Sequence, residues 1–556
     1  MRTQTDGRSE PVPAAEPGCS AGHLIVRQLE RQGVERVYCV PGESYLDVLD
    51  GLYDSQIQTV VCRQEGGVGN MAVAEGRLTG LPGVAAVTRG PGAANTMIAV
   101  HTAFQDATPL IVLVGLIPET MRGHEAFQEF SLEGWFGTTA KRVFTLDSPG
   151  EAADLVARAF HIATSGRPGP VIIGLPEETL LAPTSGRTVP PLPLAATPVS
   201  DHQLAAIEDA AARAERPLLV VGGEGWTDEG SAAIAAWAQG QGMGIIADFR
   251  ATDGIDHDCP AYLGAAGYGS WPGTAEALAR ADLQVFLGCA RADVMTNGFE
   301  RGMEPAHTIV VNPDAELRQH TGPLDMQVVA RTPDFAAAVA GRPARTAELP
   351  AWVRETRSAY TAWRQTPSDD RAREGYLDLD VAFASVRELL PDDAVIAYGA
   401  GNHSGWASRY LPTHGPASLL GPRNGAMGFG VPAAVAAALV FPDRKVFSIA
   451  GDGCFMMNGQ EFATAVAHGL DITIIVDDNS VYGTIVGHQE REYPNRPSGT
   501  GLQNPDFAEY ARAFGGFGIR VERTADFRDA FAQALDYPGP AIVHAIVDPE
   551  VRTTRR

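Results

Sequence analysis

The chain has no CxxC pair, no excess of basic residues and no apolar run near the ~20 residues that a membrane-spanning helix needs. Each absence removes a class of function. Six cysteines (Cys19, Cys39, Cys62, Cys259, Cys289, Cys454) lie far apart, which excludes a zinc ribbon and a disulfide framework and suits reduced thiols in the cytoplasm. A formal charge of −24 argues against a nucleic-acid partner, which calls for a basic surface. Low-complexity sequence is confined to the termini. Residues 1–20 are polar and proline-rich without an apolar signal-peptide core, so they read as a disordered tail. The expectation is a soluble, cytoplasmic protein with neither a nucleic-acid nor a membrane partner.

What is present is ordinary globular material. Apolar residues make up 45% and charged residues 20% of 556, a length that suggests about three or four domains. Short apolar runs alternate with helical patterns throughout, the mark of parallel α/β layers. Three such blocks stand out, each expected as a doubly wound parallel sheet. The first, 21–190, has strands expected at 36–40, 59–62, 84–88, 110–114 and 171–174. The second, 200–345, has them at 218–221, 244–247, 283–287 and 308–311. A polar linker over 346–375 leads to the third, 376–556, with strands at 395–398, 445–450, 472–476 and 541–547. In such sheets ligands sit beyond the carboxyl ends of the strands, so the loops there are where chemistry is sought.

The sharpest of these loops follows 445–450 and reads Gly451-Asp452-Gly453-Cys454. At the end of the next strand comes Asp477-Asp478-Asn479-Ser480-Val481-Tyr482-Gly483. Glycines after a strand let backbone N–H groups approach phosphate oxygens, and a following helix turns its positive end toward them. A carboxylate with an amide oxygen is a hard donor set suited to Mg²⁺, which completes its octahedron with phosphate and water. Alone, the Gly-Asp-Gly turn is weak; its pairing with Asn479 across two consecutive strand–helix units is not.

Together these segments resemble the signature of thiamine-diphosphate enzymes, and from about 21 to 548 the chain is similar to the acetolactate synthase large-subunit group. The resemblance implies that Asp452, the Asn479 side chain and the Val481 carbonyl bind Mg²⁺. Gly451, Gly453, Cys454, Tyr482 and Gly483 would then surround the diphosphate. Gly401-Asn402-His403 resembles the group's Gly-Gln-His segment, with Asn402 in place of Gln, and implies contacts from Asn402 and His403 to the diphosphate. Arg63-Gln64-Glu65 resembles its Arg-His-Glu segment, which makes Glu65 the partner of N1′ of the aminopyrimidine and the activator of the thiazolium C2 proton. Gly425-Ala426-Met427-Gly428-Phe429-Gly430 matches the segment whose methionine bends the cofactor; Met427 is the wedge, and the Gly425 carbonyl accepts from the 4′-amino group. In the family the two halves of a site come from different subunits, implying a homodimer or homotetramer with active sites at the interface.

Phe127 and Gln128 occupy positions that line the substrate site in this group. The His-His pair of simple decarboxylases is missing from the first block, which favours carboligation: a 2-keto acid, pyruvate by default, would lose CO₂ and pass its hydroxyalkyl unit to a carbonyl acceptor. Departures from the synthase are Glu43-Ser44 for Gly-Ala, expected to put two polar groups near the reacting carbons, and Thr484 and His488 for Met and Trp. A histidine side chain ordinarily titrates near neutrality, so His488 could move a proton or bind a carboxylate. In the middle block Gly222-Gly223-Glu224-Gly225 only loosely suggests a dinucleotide turn, leaving FAD open as a second cofactor. A non-ligating decarboxylase and a catalytically silent thiamine-diphosphate-binding regulator remain alternatives. A nicotinamide oxidoreductase rests on the middle-block glycines alone.

Overall fold

The computed structural model describes residues 19–555; the expected tail over 1–20 falls outside them except for Cys19 and Ser20. Every sheet is parallel, because its strands are built from apolar runs that can be buried on both faces. The first sheet consists of β1 (Arg36–Cys39), β2 (Gln58–Val61), β3 (Gly83–Val87), β4 (Leu110–Leu116), β5 (Arg142–Thr145) and β6 (Pro170–Pro176), in the order β2-β1-β3-β4-β6-β5. Its centre, the Leu-Ile-Val-Leu-Val-Gly-Leu of β4, is buried at every position.

The middle sheet holds β7 (Pro217–Val221), β8 (Gly244–Ala247), β9 (Tyr262–Ala265), β10 (Leu283–Leu287), β11 (His307–Asn312) and β12 (Met326–Val329), ordered β12-β11-β10-β7-β8-β9. Counted within the sheet this is 3-2-1-4-5-6 read from the far edge, the order that opens a crevice between its first and fourth strands. The third sheet holds β13 (Val395–Tyr398), β14 (Leu419–Leu420), β15 (Val446–Gly451), β16 (Ile472–Asp478), β17 (Phe517–Val521) and β18 (Ala541–Ile546), ordered β14-β13-β15-β16-β18-β17. This repeats the topology of the first sheet position for position.

In both repeats the helix after the second, edge strand is rich in small residues: Glu65–Thr79 in the first and Gly430–Val440 in the third. These equivalent helices pack on each other. Val68, Ala72 and Leu78 share one apolar core with Ala433, Val435 and Ala437, so the first and third sheets form a single body. The middle sheet keeps its own core. Residues 346–375, expected as a connector, contain the helix Ala351–Trp363, whose Val353 and Tyr360 are buried in that middle core. Among the described residues no helix is long and apolar enough to cross a membrane.

Candidate active site

Parallel pairing of β15 with β16 sets Gly451 beside Asp477, so the loops that follow open side by side at the carboxyl edge. Between them and the loop after β13 lies a cleft of about 230 Å³. Its wall includes Asn402, His403, Gly425, Met427, Gly451, Asp452, Gly453, Cys454, Asn479, Val481, Tyr482 and Gly483. Every residue expected from the third block to touch the cofactor or metal is thus brought to one place.

The electrostatics of this cleft are lopsided. Asp452, Asp477 and Asp478 are all buried within a few residues of one another in space. Asp452 takes the N–H of Gly453 at 2.7 Å and the Asn504 amide at 2.7 Å; burial pushes its carboxyl up to about 6. Asp478 is bonded to His544 at 2.9 Å and to the same Asn504 amide at 2.8 Å. Asp477 is raised well above the carboxylate range by burial and by its two acidic neighbours, and its Oδ1 has no partner. Asp452 and Asp478 thus share the Asn504 amide, and Asp452 and Asp477 turn toward the cleft, with Arg552 on the same wall. The Asn479 Oδ1 and the Val481 carbonyl close the same loop, held by the N–H groups of Val481 and Gly483.

His403 supplies a second incompletely satisfied group. Its ring is buried, first the burial and then the nearby Arg250 hold its pKa down to about 3, and its Nε2 has no partner. The imidazole is therefore neutral. A Cβ at Gly451 would stand 2.9 Å from its Nδ1, so only glycine lets the strand end and the ring share the wall. Met427 is held up by Gly425 and Gly428, whose φ values of 75° and 77° favour glycine. Cys454 lines the wall, and its Sγ accepts the Gly428 N–H at 3.2 Å and so buttresses the methionine loop.

The residues expected from the first block sit elsewhere, along the carboxyl edge of the first sheet. Glu65 opens the helix Glu65–Thr79 and accepts from the Asn95 amide at 2.9 Å. Gln128 packs against Gly90 in the loop after β3, and Phe127 is 76% exposed. None of them lines the cleft of their own chain. The remaining singled-out residues are placed as follows in the single chain. Ser44 is buried, sharing its hydroxyl with Thr88 at 2.9 Å rather than presenting it outward, and Glu43 is gripped by Arg89. His488 is exposed outside the cleft wall, with its Nδ1 on Arg491 at 2.6 Å. Thr484 does line the cleft and donates to Asn402 at 2.9 Å.

Sequence reasoning missed Asn504, His544 and Glu461. The last follows the polar Asn458-Gly459-Gln460 and precedes Phe462-Ala463, with no motif to mark it.

A larger cavity of about 560 Å³ occupies the crevice of the middle sheet. The loops after β7 and β10 cross there so closely that a Cβ on Gly223 would lie 2.3 Å from the Gly288 carbonyl oxygen. Its size is within the range of small-molecule sites. Each arginine on its wall is already held: Arg331 by Asp334, Arg423 by Glu224, and Arg167 by two backbone carbonyls.

Residues 399–545 match the thiamine pyrophosphate enzyme C-terminal TPP binding domain, 19–134 the N-terminal TPP binding domain and 204–339 the central domain of the same enzymes. Along nearly its whole length the chain is similar to acetolactate synthase isozyme 2 large subunit of Escherichia coli K12, 30% identical over 94% of this chain and 95% of the relative. It is 31% identical to the isozyme 1 large subunit of that organism over 96% and 94%, and 30% to acetolactate synthase of Mycobacterium bovis over 93% and 86%. With all three domains matched in order and relatives of this identity covered almost end to end, the chain belongs to the thiamine pyrophosphate enzymes, as a thiamine-diphosphate-dependent enzyme resembling the acetolactate synthase large subunits.

Proposed function

We propose that this enzyme decarboxylates a 2-keto acid, with pyruvate as the default, and joins the remaining fragment to a carbonyl acceptor. The observation that carries the reading is the cleft in which the Asp452 carboxyl, the Asn479 amide and the Val481 carbonyl meet beside Met427. Mg²⁺ suits an all-oxygen donor set of this kind. Asp452, Asn479 and Val481 would hold it. Asn402, neutral His403 and the backbone of Gly451, Gly453, Tyr482 and Gly483 would hold the diphosphate, and the Gly425 carbonyl the amino group of the pyrimidine. Thiamine diphosphate, once bound, supplies the electron sink for cleavage beside the carbonyl. The protein's part is geometry and proton movement: Met427 fixes the bend of the cofactor, and Glu65 holds a proton at the pyrimidine N1′.

Glu65 lies on the first sheet and no first-block residue lines the cleft of its own chain, which supports a site completed by a second copy, in a homodimer or a tetramer built from it. Phe127 and Gln128, on the same rim as Glu65, would face the substrate from the partner. His488 would reach it only by leaving Arg491. The crevice of the middle sheet has the strand order and size for a dinucleotide, which leaves FAD open as a second cofactor; flavin absorbance of the purified protein decides it. Six free, buried cysteines suit a reducing, cytoplasmic compartment.

Incubation with pyruvate alone and with a second carbonyl compound, followed by mass detection of products, tests the reaction. A condensed product is expected; acetaldehyde alone would mark a non-ligating decarboxylase. Glu65→Gln should bind thiamine diphosphate and Mg²⁺ yet lose turnover by about 10²-fold or more, the usual scale for a positioned proton-transfer group. A wild type inert toward a panel of 2-keto acids would favour a silent regulator.

A further inference from the structure

The turn that presents Glu65 is held from the other end of the chain. Glu461, fully buried, places Oε1 3.0 Å from the Arg63 N–H and 3.1 Å from the Gln64 N–H, while its Oε2 takes the Thr464 hydroxyl at 2.7 Å. Gln64 in turn caps the helix by accepting from Gly66 at 2.5 Å and Gly67 at 3.3 Å. The N–H groups at the start of the helix Glu65–Thr79 are thus shared between a local amide and a distant carboxylate, whose charge suits the positive end of a 15-residue helix. The approach depends on glycine. A Cβ at Gly67 would lie 2.3 Å from the Glu461 Oε1. Glu461 itself ends the single turn Gly459–Glu461 that directly follows the helix Asp452–Asn458. One short segment therefore carries Asp452 at its start and grips the Glu65 turn at its end.

We propose that Glu461 is a positioning residue that sets the place of the Glu65 carboxylate by accepting the backbone N–H groups of Arg63 and Gln64. Burying a carboxylate is costly unless its lone pairs are met, and here every bond it accepts is directed at that turn or at Thr464, which orients it. The inference rests on the reading of Glu65 as activator. A plain interdomain anchor makes a different prediction, because its loss would loosen cofactor binding and the fold together without singling out the proton relay.

The test follows the exchange of the thiazolium C2 proton of enzyme-bound thiamine diphosphate into D₂O by NMR after acid quench. Affinity for thiamine diphosphate with Mg²⁺ is read in parallel from tryptophan fluorescence. Glu461→Ala and Gly67→Ala, which remove or displace the same carboxylate by unrelated routes, should slow exchange about a hundred-fold, the cost of misplacing a catalytic group by an ångström. Affinity should change by less than about fivefold, because the diphosphate clamp is untouched. Glu461→Gln keeps an acceptor oxygen for both N–H groups and a donor for Thr464, so exchange should stay within about threefold of wild type. A wild-type rate in Glu461→Ala, or a Glu461→Gln as slow as the alanine variant, overturns the proposal. Glu65→Gln is run alongside: a wild-type rate there overturns the underlying reading of Glu65, whatever Glu461 does.

Discussion

Asn504 shows how much of the site depends on single residues with no signature of their own. Its one amide nitrogen donates to both Asp452 and Asp478, and Asp478 is tied to His544, so one loop residue and two strand residues, from β16 and β18, fix the orientation of the proposed metal carboxylate. Removing such an outer partner of a ligand costs about 10–100-fold in metal affinity in known sites. Asn504→Ala should accordingly raise the Mg²⁺ needed to saturate thiamine diphosphate binding by about that factor, with little change in the affinity measured at saturating Mg²⁺; an unchanged Mg²⁺ titration removes Asn504 from the site. The sequence could not point to this residue, because it lies 52 positions from Asp452 in a loop where asparagine is common. Glu65, Asp452, Asn479 and Met427 stood out for the opposite reason: each lies in a segment that resembles a motif of one family, and their roles are proposed on that resemblance.

At the scale of elements, the interior strands were legible and the edges were not. Of the six edge strands, β5, β9, β12, β14 and β17 went unrecognised. An edge strand pairs on one side only and is covered less, so it needs no continuous apolar run: β5 is Arg-Val-Phe-Thr, β12 is half-exposed, and β14 is two residues long. The helix Ala351–Trp363 was missed because its apolar face is narrow, with two fully buried residues in a stretch that otherwise reads as polar. The wedge loop makes a sharper elemental argument. Gly425 and Gly428 flank Met427 with nearly equal positive φ, but a Cβ at Gly425 meets nothing within 4 Å, whereas one at Gly428 would stand 2.6 Å from the Met457 Cβ and 2.8 Å from the Asn458 amide that bonds its carbonyl. Gly425→Ala should therefore cost only the left-handed backbone penalty, about 1–2 kcal/mol. Gly428→Ala should add a clash that moves Met427, lowering stability further and weakening cofactor affinity. Denaturant titration and fluorescence binding on the two variants check the order; equal losses would mean that the wedge is not held by this packing.

For the whole molecule, the question is why three sheets are needed when the cleft is built on one. Arg423, four residues before Met427, bonds Asp106 of the first block and Glu224 of the middle block, so the wedge loop is set by contacts to both other blocks at once. Within one chain, Glu65 does not line the cleft. If two copies exchange these halves, a dimer of Glu65→Gln chains and a dimer of Asp452→Asn chains are each inactive, but a mixed dimer contains one site built from an intact Glu65 and an intact Asp452, and a second site carrying both lesions. Random reassortment of equal amounts makes half the dimers mixed, each with one working site of two, so about one quarter of wild-type activity should return. Recovery should require conditions that dissociate and reform the dimers, and should be absent on simple mixing without exchange. A site completed within one chain gives no recovery under any mixing protocol, because every chain then carries a lesion in its own site.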